Sequence, residues 1–148
     1  MGLFDAIDIS GSALSAERLR MDVTAENLAN AQTTRAANGQ PYRRKVVELQ
    51  QAPEGNSFGA VLNGAMGSSS AQPSGVRVGG IAQDSAPNKL VYDPGHPDAN
   101  AQGYVSMPNV DPVTEMVDLI TESRGYEANV TAMQSAKTMF TKTLDLLR

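Results

Sequence analysis

Residues that interrupt helices are concentrated in the middle of this chain of 148 residues. All eight prolines lie between Pro41 and Pro112, and ten of the 13 glycines lie between Gly39 and Gly103. Proline removes a backbone hydrogen-bond donor, and glycine loses much conformational entropy when it enters a helix. The two ends are therefore free to form long helices, whereas the middle must consist of strands, turns and loops.

The first end carries apolar residues at the spacing of a heptad seam. Its rungs alternate at intervals of three and four residues, with Gly11 and Arg18 as weak rungs. The polar run from Asn30 onwards is expected to end this helix, which would be about 42 Å long for about 28 residues. The predicted packing residues of this ladder are Phe4, Ile7, Leu14, Met21 and Leu28.

The last end repeats the pattern. Asp111 is placed to cap a helix that starts at Pro112, and Glu115 is an acid in its first turn. Apolar residues recur on more than one face of this helix, and Gly125 in its middle should cost about 1 kcal/mol relative to alanine. The predicted packing residues are Met116, Ile120, Tyr126, Val130, Met133, Phe140, Leu144 and Leu147.

Together these patterns predict an α+β fold in which the terminal helices pair as an antiparallel, coiled-coil-like hairpin. The predicted divisions are an N-terminal helical segment 1–34, a small β-rich middle domain 35–111 and a C-terminal helix 112–148. Two arrangements remain open, because either the middle domain or further copies of the chain cover the apolar stripes. Stripes on several faces favour further copies.

The middle contains four short extended segments, at residues 42–50, 76–82, 89–92 and 104–107. The second is interrupted by Gly79 and Gly80, which predict a turn or a β-bulge. Residues 52–75 have the Gly/Ser/Ala-rich composition of a flexible loop, with Glu54 as their only charge. The net charge of −4 lies entirely within residues 46–111.

Composition excludes several functional classes. The chain has no cysteine and one histidine, so a disulfide framework, a thiolate metal site and a cysteine nucleophile are ruled out. No apolar run is long enough for a transmembrane helix, and basic residues are too scattered for nucleic-acid binding. The N-terminus has acidic residues and no basic region, so no cleaved signal peptide is expected. No cofactor or metal is predicted.

Three local patterns favour structural interpretations over chemistry. His96 lies between prolines and is expected to be a turn residue rather than a general base. Residues 98–103 resemble half of a calcium-binding loop, but Asn109 stands where that loop needs a bidentate glutamate, so an Asx turn is expected. The cluster Arg43-Arg44-Lys45 is expected to form salt bridges or a solvated edge rather than to bind phosphate.

A resemblance to a known family rests on specific residues. The segment 25–33, which includes Asn27 and Asn30, resembles the A-x-N-[LI]-A-N-x-x-T signature of bacterial flagellar rod and hook proteins. Residues 89–99, 103–110, 115–117, 123–130 and 142–146 are similar to those of proximal-rod subunits in that family. The resemblance covers nearly the whole chain except about residues 52–75. Gly125 departs from it, since the family usually has alanine there.

The resemblance implies a structural subunit of the flagellar basal-body rod, with no catalytic site and with Asn27 and Asn30 among its packing residues. The terminal helices would pack in the wall of a torque-transmitting tube and the middle domain would face outward. Implied partners are other copies of the chain, neighbouring rod proteins, the ring-to-rod adaptor and the flagellar type III export apparatus. The implied location is the periplasmic part of the basal body.

Two rival functions remain open from the sequence. A cell-wall hydrolase would need catalytic carboxylates, for which Asp93, His96 and Asp98 are the candidates. A cytoplasmic export adaptor built on the same helices would stay inside the cell, whereas a rod subunit would purify with basal bodies.

Overall fold

Two long helices enclose four short strands in this computed structural model, which describes residues 3–36, 39–52 and 75–146. The elements are helix α1 (Leu3–Ala29), strands β1 (Lys45–Gln51), β2 (Val76–Gln83), β3 (Lys89–Tyr92) and β4 (Tyr104–Met107), and helix α2 (Pro112–Leu146). The α+β class is as predicted. The predicted flexible loop lies outside the described residues except for its ends, where Ala52 N–H donates to the Gly75 carbonyl at 2.8 Å.

Helix α1 ends where the polar run predicted. Asn30 donates two hydrogen bonds to the Glu26 carbonyl, one from its backbone N–H (3.1 Å) and one from its side-chain Nδ2 (2.9 Å). The Thr33 hydroxyl then donates to Asn30 Oδ1 at 3.2 Å. The last carbonyl groups of a helix have no donors within the helix, and these bonds supply donors at the end of α1.

Helix α2 starts at the predicted cap. Asp111 Oδ1 accepts from the backbone N–H of Val113 at 3.3 Å, and Oδ2 accepts from the Thr114 hydroxyl at 3.2 Å. Pro112 takes the first helical position, where the missing N–H costs nothing. The prediction of an N-cap at Asp111 is therefore confirmed.

Strands β1 and β2 form an antiparallel ribbon with a bulge. Glu48 pairs with Gly80, but the next residue, Leu49, pairs with Val78, so Gly79 has no partner across the ribbon. The glycine pair is thus a β-bulge, one of the two predicted alternatives. The first strand begins at Lys45 rather than at residue 42, because the backbone N–H of Arg44 donates to an asparagine side chain instead of a neighbouring strand.

Strands β3 and β4 form a second antiparallel pair, with Val91 opposite Val105 and Tyr92 opposite Tyr104. The two tyrosine rings meet edge to face, with their centroids 5.3 Å apart. Gly103 precedes β4 with φ +81°, and a Cβ there would lie 2.9 Å from the ring of Tyr92. Glycine is therefore required at this turn on two grounds.

The apolar core of the described residues is small, and polar side chains share its burial. In α1 the buried residues include Ala16, Val23 and Asn27, which lie off the predicted ladder, whereas Arg18 of the ladder is exposed. The large apolar ladder residues of α1 whose burial the structure describes are partly buried, so their packing role stays a prediction. Within the described residues, neither helix combines the length and apolar character needed to cross a bilayer. The buried apolar residues are Ala16, Val23, Tyr42, Val105, Val110 and Ala136.

Candidate functional site

The side chain of Asn27, 1% exposed, forms four hydrogen bonds at the end of α1. Its Nδ2 donates to the Lys45 carbonyl at 2.8 Å and to Glu115 Oε2 at 3.1 Å. Its Oδ1 accepts from the Lys45 backbone N–H and from the Tyr42 hydroxyl, both at 2.9 Å. Every donor and acceptor of the amide is used, so one buried side chain joins α1 to β1 and α2.

Glu115, also 1% exposed, lies in the first turn of α2 and pairs with Arg44 from the segment before β1. Its Oε1 accepts from Arg44 Nε at 2.6 Å, and Arg44 Nη2 contacts Asp118 Oδ2 at 3.3 Å. The hydrogen bond to Glu115 raises the pKa of Arg44, whereas burial acts in the opposite direction. The salt-bridge interpretation of the basic cluster is confirmed, since Lys45 also pairs with Glu26.

A second buried acid, Glu122, lies farther along α2 and is 4% exposed. Its Oε1 accepts from the Thr24 hydroxyl at 3.2 Å and faces Arg20 Nη2 at 3.5 Å, while its Oε2 is buried and has no hydrogen-bond partner. Burial raises the pKa of Glu122. The bond from Thr24 and the charge of Arg20 lower it, and the charges of Glu17 and Asp118 raise it further.

The hydroxyl of Tyr42 is buried where it donates to the side chain of Asn27. Burial raises the pKa of Tyr42 to about 12, and the negative charges of Glu26 and Glu115 act in the same direction. The ammonium group of Lys45 lies 5.8 Å from the centre of the Tyr42 ring. The buried polar side chains form two neighbouring networks, which we together call the polar junction. One network consists of Asn27, Tyr42, Arg44 and Glu115, and the other consists of Arg20, Thr24 and Glu122.

The contacts between α1 and α2 follow an antiparallel order, because residue numbers fall along α2 as they rise along α1. A Cβ at Gly11 would lie 3.8 Å from Met133 Cε, and a Cβ at Gly125 would lie 3.6 Å from Glu17 Cδ. The polar junction lies at the end of this contact nearest to β1. In order along α1, the facing residues are Gly11 with Met133, Glu17 with Gly125, Thr24 with Glu122 and Asn27 with Glu115.

Of the polar junction, the sequence predicts only Asn27 as a packing residue, because Asn27 belongs to the flagellar rod and hook signature. Glu115 was interpreted as a first-turn acid and Arg44 as part of a salt bridge, and neither interpretation placed them in one cluster. Thr24 and Glu122 were missed, because they lie 98 positions apart in sequence and meet only through the alignment of two helices. Alternating spacing alone carries no signal for that alignment.

The predicted packing residues differ in their exposure in the single chain. Asn27 is buried, and most others are partly buried. Met116, Ile120 and Leu144 are about half exposed, with relative exposures of 47%, 53% and 50%. The side chain of Phe4 and the whole of Leu147 lie outside the described residues. The partly buried residues are Ile7, Leu14, Met21, Leu28, Asn30, Tyr126, Val130, Met133 and Phe140.

The first two turns of α2 carry a continuous exposed apolar surface, which we call the outer stripe. Its residues have the i, i+3, i+4, i+7 spacing of one helix face. They lie away from the polar junction, because Glu115 and Asp118 face Arg44 from the same turns. The outer stripe consists of Val113, Met116, Val117 and Ile120.

The loop between β3 and β4 has the turn structure expected from its sequence. His96 Nδ1 accepts from the Asp98 backbone N–H at 3.1 Å, and Asn100 Oδ1 accepts from the N–H groups of Gln102 and Tyr104, each at 2.9 Å. The turn and Asx-turn interpretations are confirmed. Over residues 3–36, 39–52 and 75–146, no group of three His, Asp or Glu side chains is placed to hold a metal ion.

Comparison with known proteins places both helical ends in flagellar families. A model described as "Flagella basal body rod protein" matches residues 7–36, and one described as "Flagellar basal body rod FlgEFG protein C-terminal" matches residues 101–146. "Flagellar basal-body rod protein FlgC" of Bacillus subtilis is 52% identical over 150 residues, covering 99% of each chain. The chain belongs to the FlgC family of flagellar basal-body rod proteins. Two further relatives of the same name support this assignment. The protein of Escherichia coli O6:H1 is 46% identical, and the match covers 99% of this chain and 98% of the relative. The protein of Borreliella burgdorferi is 43% identical, and the match covers 100% of this chain and 99% of the relative.

Membership of the FlgC family confirms the function implied by the resemblance. The chain is a structural subunit of the flagellar basal-body rod, and it assembles with other rod proteins in the basal body. The two matched segments contain Asn27 and Glu115, whereas Tyr42 and Arg44 lie between them. The polar junction therefore ties the two family segments to the strand that follows the first of them.

Proposed function

We propose that this chain is a proximal-rod subunit whose terminal helices pair as an antiparallel, coiled-coil-like hairpin in the wall of a torque-transmitting tube. Residues 1–34 and 112–148 would form the packed wall, and residues 35–111 would form an outward β-rich domain. The antiparallel order of the contacts between α1 and α2 supports this arrangement.

The outer stripe is the observation that carries the proposal. Helix α2 faces α1 with the buried side chains of Glu115 and Glu122, yet it exposes Val113 at 66% and Val117 at 56% on another face. A helix with one face covered and a second, apolar face uncovered is expected to gain burial from neighbouring subunits. Head-to-tail contacts between unlike surfaces generate helical tubes when the rotation does not close.

The polar junction supports the mechanical role. Buried polar groups that pair across two helices fix their alignment, because a shifted register would leave more charges and amides unpaired in a dry environment. Shifting α1 along α2 would separate Asn27 from Glu115 and Thr24 from Glu122 at the same time. We propose that this fixed alignment lets the subunit transmit torque without slippage between its helices.

The proposed partners are further copies of the chain, neighbouring rod proteins and the ring-to-rod adaptor, with the flagellar type III apparatus as the export route to the periplasm. We propose that the subunit has no catalytic activity and no cofactor. Membership of a structural rod family supports both statements.

Fractionation of cells that carry a tagged chain tests this function. The tagged chain is expected to purify with basal bodies and to be required for their rods. Retention in the cytoplasm would favour an export adaptor. Cell-wall digestion by the pure chain that is lost on changing Asp93, His96 or Asp98 would favour a hydrolase.

A further inference from the structure

We propose that closure of the α1–α2 hairpin is coupled to uptake of one proton at Glu122, which makes this residue a proton-dependent latch on the helix pair. The proposal rests on the hairpin pairing proposed above and adds a means of regulating it. The alignment of the helices requires a polar side chain opposite Thr24, but it does not require that side chain to be ionisable.

The geometry around Glu122 favours a neutral carboxyl group. Its Oε2 is buried without any donor, and its Oε1 depends on Thr24 at 3.2 Å and on Arg20 at 3.5 Å. Arg20 is shared, because its Nη1 also contacts the carboxylate of Glu17 at 3.3 Å. Burying a carboxylate that has one unsatisfied oxygen and shares its arginine with a second acid costs desolvation free energy. Protonation of the carboxylate removes this cost.

The charges on the surrounding elements act on Glu122 in both directions. Helix α1 contributes Glu17 and Arg20, and α2 contributes Glu115 and Asp118. The segment before β1 contributes Arg44, whose guanidinium is already held by the two acids of α2. From β1, Lys45 lines the cavity beside Glu122 and pairs with Glu26 of α1. Burial is the largest cause and raises the pKa of Glu122, the Thr24 hydroxyl and the charge of Arg20 lower it, and the charges of Glu17 and Asp118 raise it again.

A route for the proton is present beside the cluster. A cavity of about 190 Å³ between α1, α2 and β1 is lined by Arg20, Thr24, Asp118 and Glu122, and a space of this size admits water molecules. Water does not reach Oε2 itself, so the carboxyl group is not rehydrated while the helices are closed. Separation of the helices would return Glu122 to solvent and to the ordinary pKa of a glutamic acid.

The direction of the pH effect follows from linkage. The closed hairpin binds the proton more tightly than the open chain, so closure is favoured fully below the ordinary glutamate pKa and weakens as the pH rises through the raised value. For one proton, the ratio of closed to open chain changes by at most about tenfold per pH unit. The single histidine, His96, lies in the β3–β4 turn and takes no part in the cluster.

The absence of cysteine permits a direct test on the full chain. Nitroxide labels at Ser15→Cys and Thr131→Cys, two exposed sites on α1 and α2, report the closed fraction by pulsed electron resonance from about pH 4.5 to about pH 8. We expect the closed fraction to fall with rising pH. Glu122→Gln should abolish this dependence, whereas Glu127→Gln, which removes an exposed carboxylate from the same helix, should preserve it.

A second variant keeps the test independent of one substitution. Thr24→Val removes the hydrogen bond that lowers the pKa of Glu122, so the fall in closed fraction should move to higher pH. Equal pH dependence in the wild type and Glu122→Gln would overturn the latch but leave the hairpin intact. A closed fraction that rises with pH only when Glu122 is present would show that its ion pair dominates and would also overturn it. Absence of a closed population at every pH in all variants would overturn the hairpin pairing and the latch together.

Discussion

The side-chain amide of Asn27 pairs with both backbone groups of Lys45, donating to the carbonyl at 2.8 Å and accepting from the N–H at 2.9 Å. An amide side chain has the same donor and acceptor groups as a peptide unit, so Asn27 occupies the edge of β1 as a neighbouring strand would. The end of a helix is thereby fixed to the start of a strand. This pairing gives the asparagine of the rod signature a physical role.

We predict that Asn27→Ala lowers the free energy of unfolding by at least about 2 kcal/mol, because it leaves several buried groups without partners. Asn30→Ala is the matched control, since its side chain is less buried and bonds to the nearby Glu26 carbonyl and Thr33 hydroxyl. Its loss should be about 1 kcal/mol. Urea unfolding followed by circular dichroism measures both, and equal losses would contradict the role assigned to Asn27.

The neighbouring arginines Arg43 and Arg44 allow a comparison within one cluster. Arg44→Ala leaves the carboxylate of Glu115 buried without its cation, which should cost about 3–5 kcal/mol. Arg43 is exposed, so Arg43→Ala should change stability by no more than about 0.5 kcal/mol. The same unfolding measurement separates the two, and a loss for Arg44→Ala as small as that for Arg43→Ala would show that the ion pair is dispensable.

Gly125 offers a stabilising substitution. A Cβ at this position would lie 3.6 Å from Glu17 Cδ, an ordinary contact distance, so Gly125→Ala should stabilise α2 by about 1 kcal/mol. Gly103→Ala should do the opposite, because Gly103 has φ +81° and a Cβ would lie 2.9 Å from Tyr92. Thermal unfolding of both variants gives the signs. Destabilisation by Gly125→Ala would mean that the helices approach more closely there than the structure shows.

How much of this could be predicted from sequence depends on the range of the interaction. Local chemistry predicted the cap at Asp111, the end of α1 at Asn30 and the bulge at Gly79, because each depends on residues a few positions away. The polar junction was not predicted as a unit, since Thr24 and Glu122 meet only once two helices are aligned. An apolar ladder predicts that a helix packs, but it does not identify the polar side chains that are buried in the same interface.

The outer stripe provides a test that separates assembly from folding. Ile120 is 53% exposed in the single chain, so Ile120→Asp should leave the helical signal and unfolding of the free chain nearly unchanged. Buried against a neighbour, the same charge would be unpaired and costly, so motility and rod completion should be lost. Leu144→Asp should likewise abolish motility and rod completion, whereas cells that carry His96→Ala, in the β3–β4 turn, should swim nearly normally. Normal swimming with Ile120→Asp would remove the outer stripe from the assembly interface.

Alkaline pH should weaken the polar junction through Tyr42. Its pKa is raised to about 12 in the folded chain and returns to the ordinary value of 10.0 on unfolding. A raised value means that the folded state holds the proton more tightly, so the stability it contributes is present below about pH 10 and is lost as the pH rises through about 12. The full loss corresponds to about 2–3 kcal/mol.

Tyr42→Phe isolates this effect, because it removes the ionising hydroxyl and keeps the buried ring. The variant should be about 1 kcal/mol less stable than the wild type near neutral pH, since it loses the hydrogen bond to Asn27. This difference should shrink and reverse between about pH 10 and about pH 12, where the wild-type phenol is forced to ionise. Titration of phenolate absorbance in the folded chain gives an independent check, because the wild type should show an ionisation step near pH 12 that is absent from Tyr42→Phe. Identical absorbance curves for the wild type and Tyr42→Phe in that range would show that the Tyr42 hydroxyl is not enclosed.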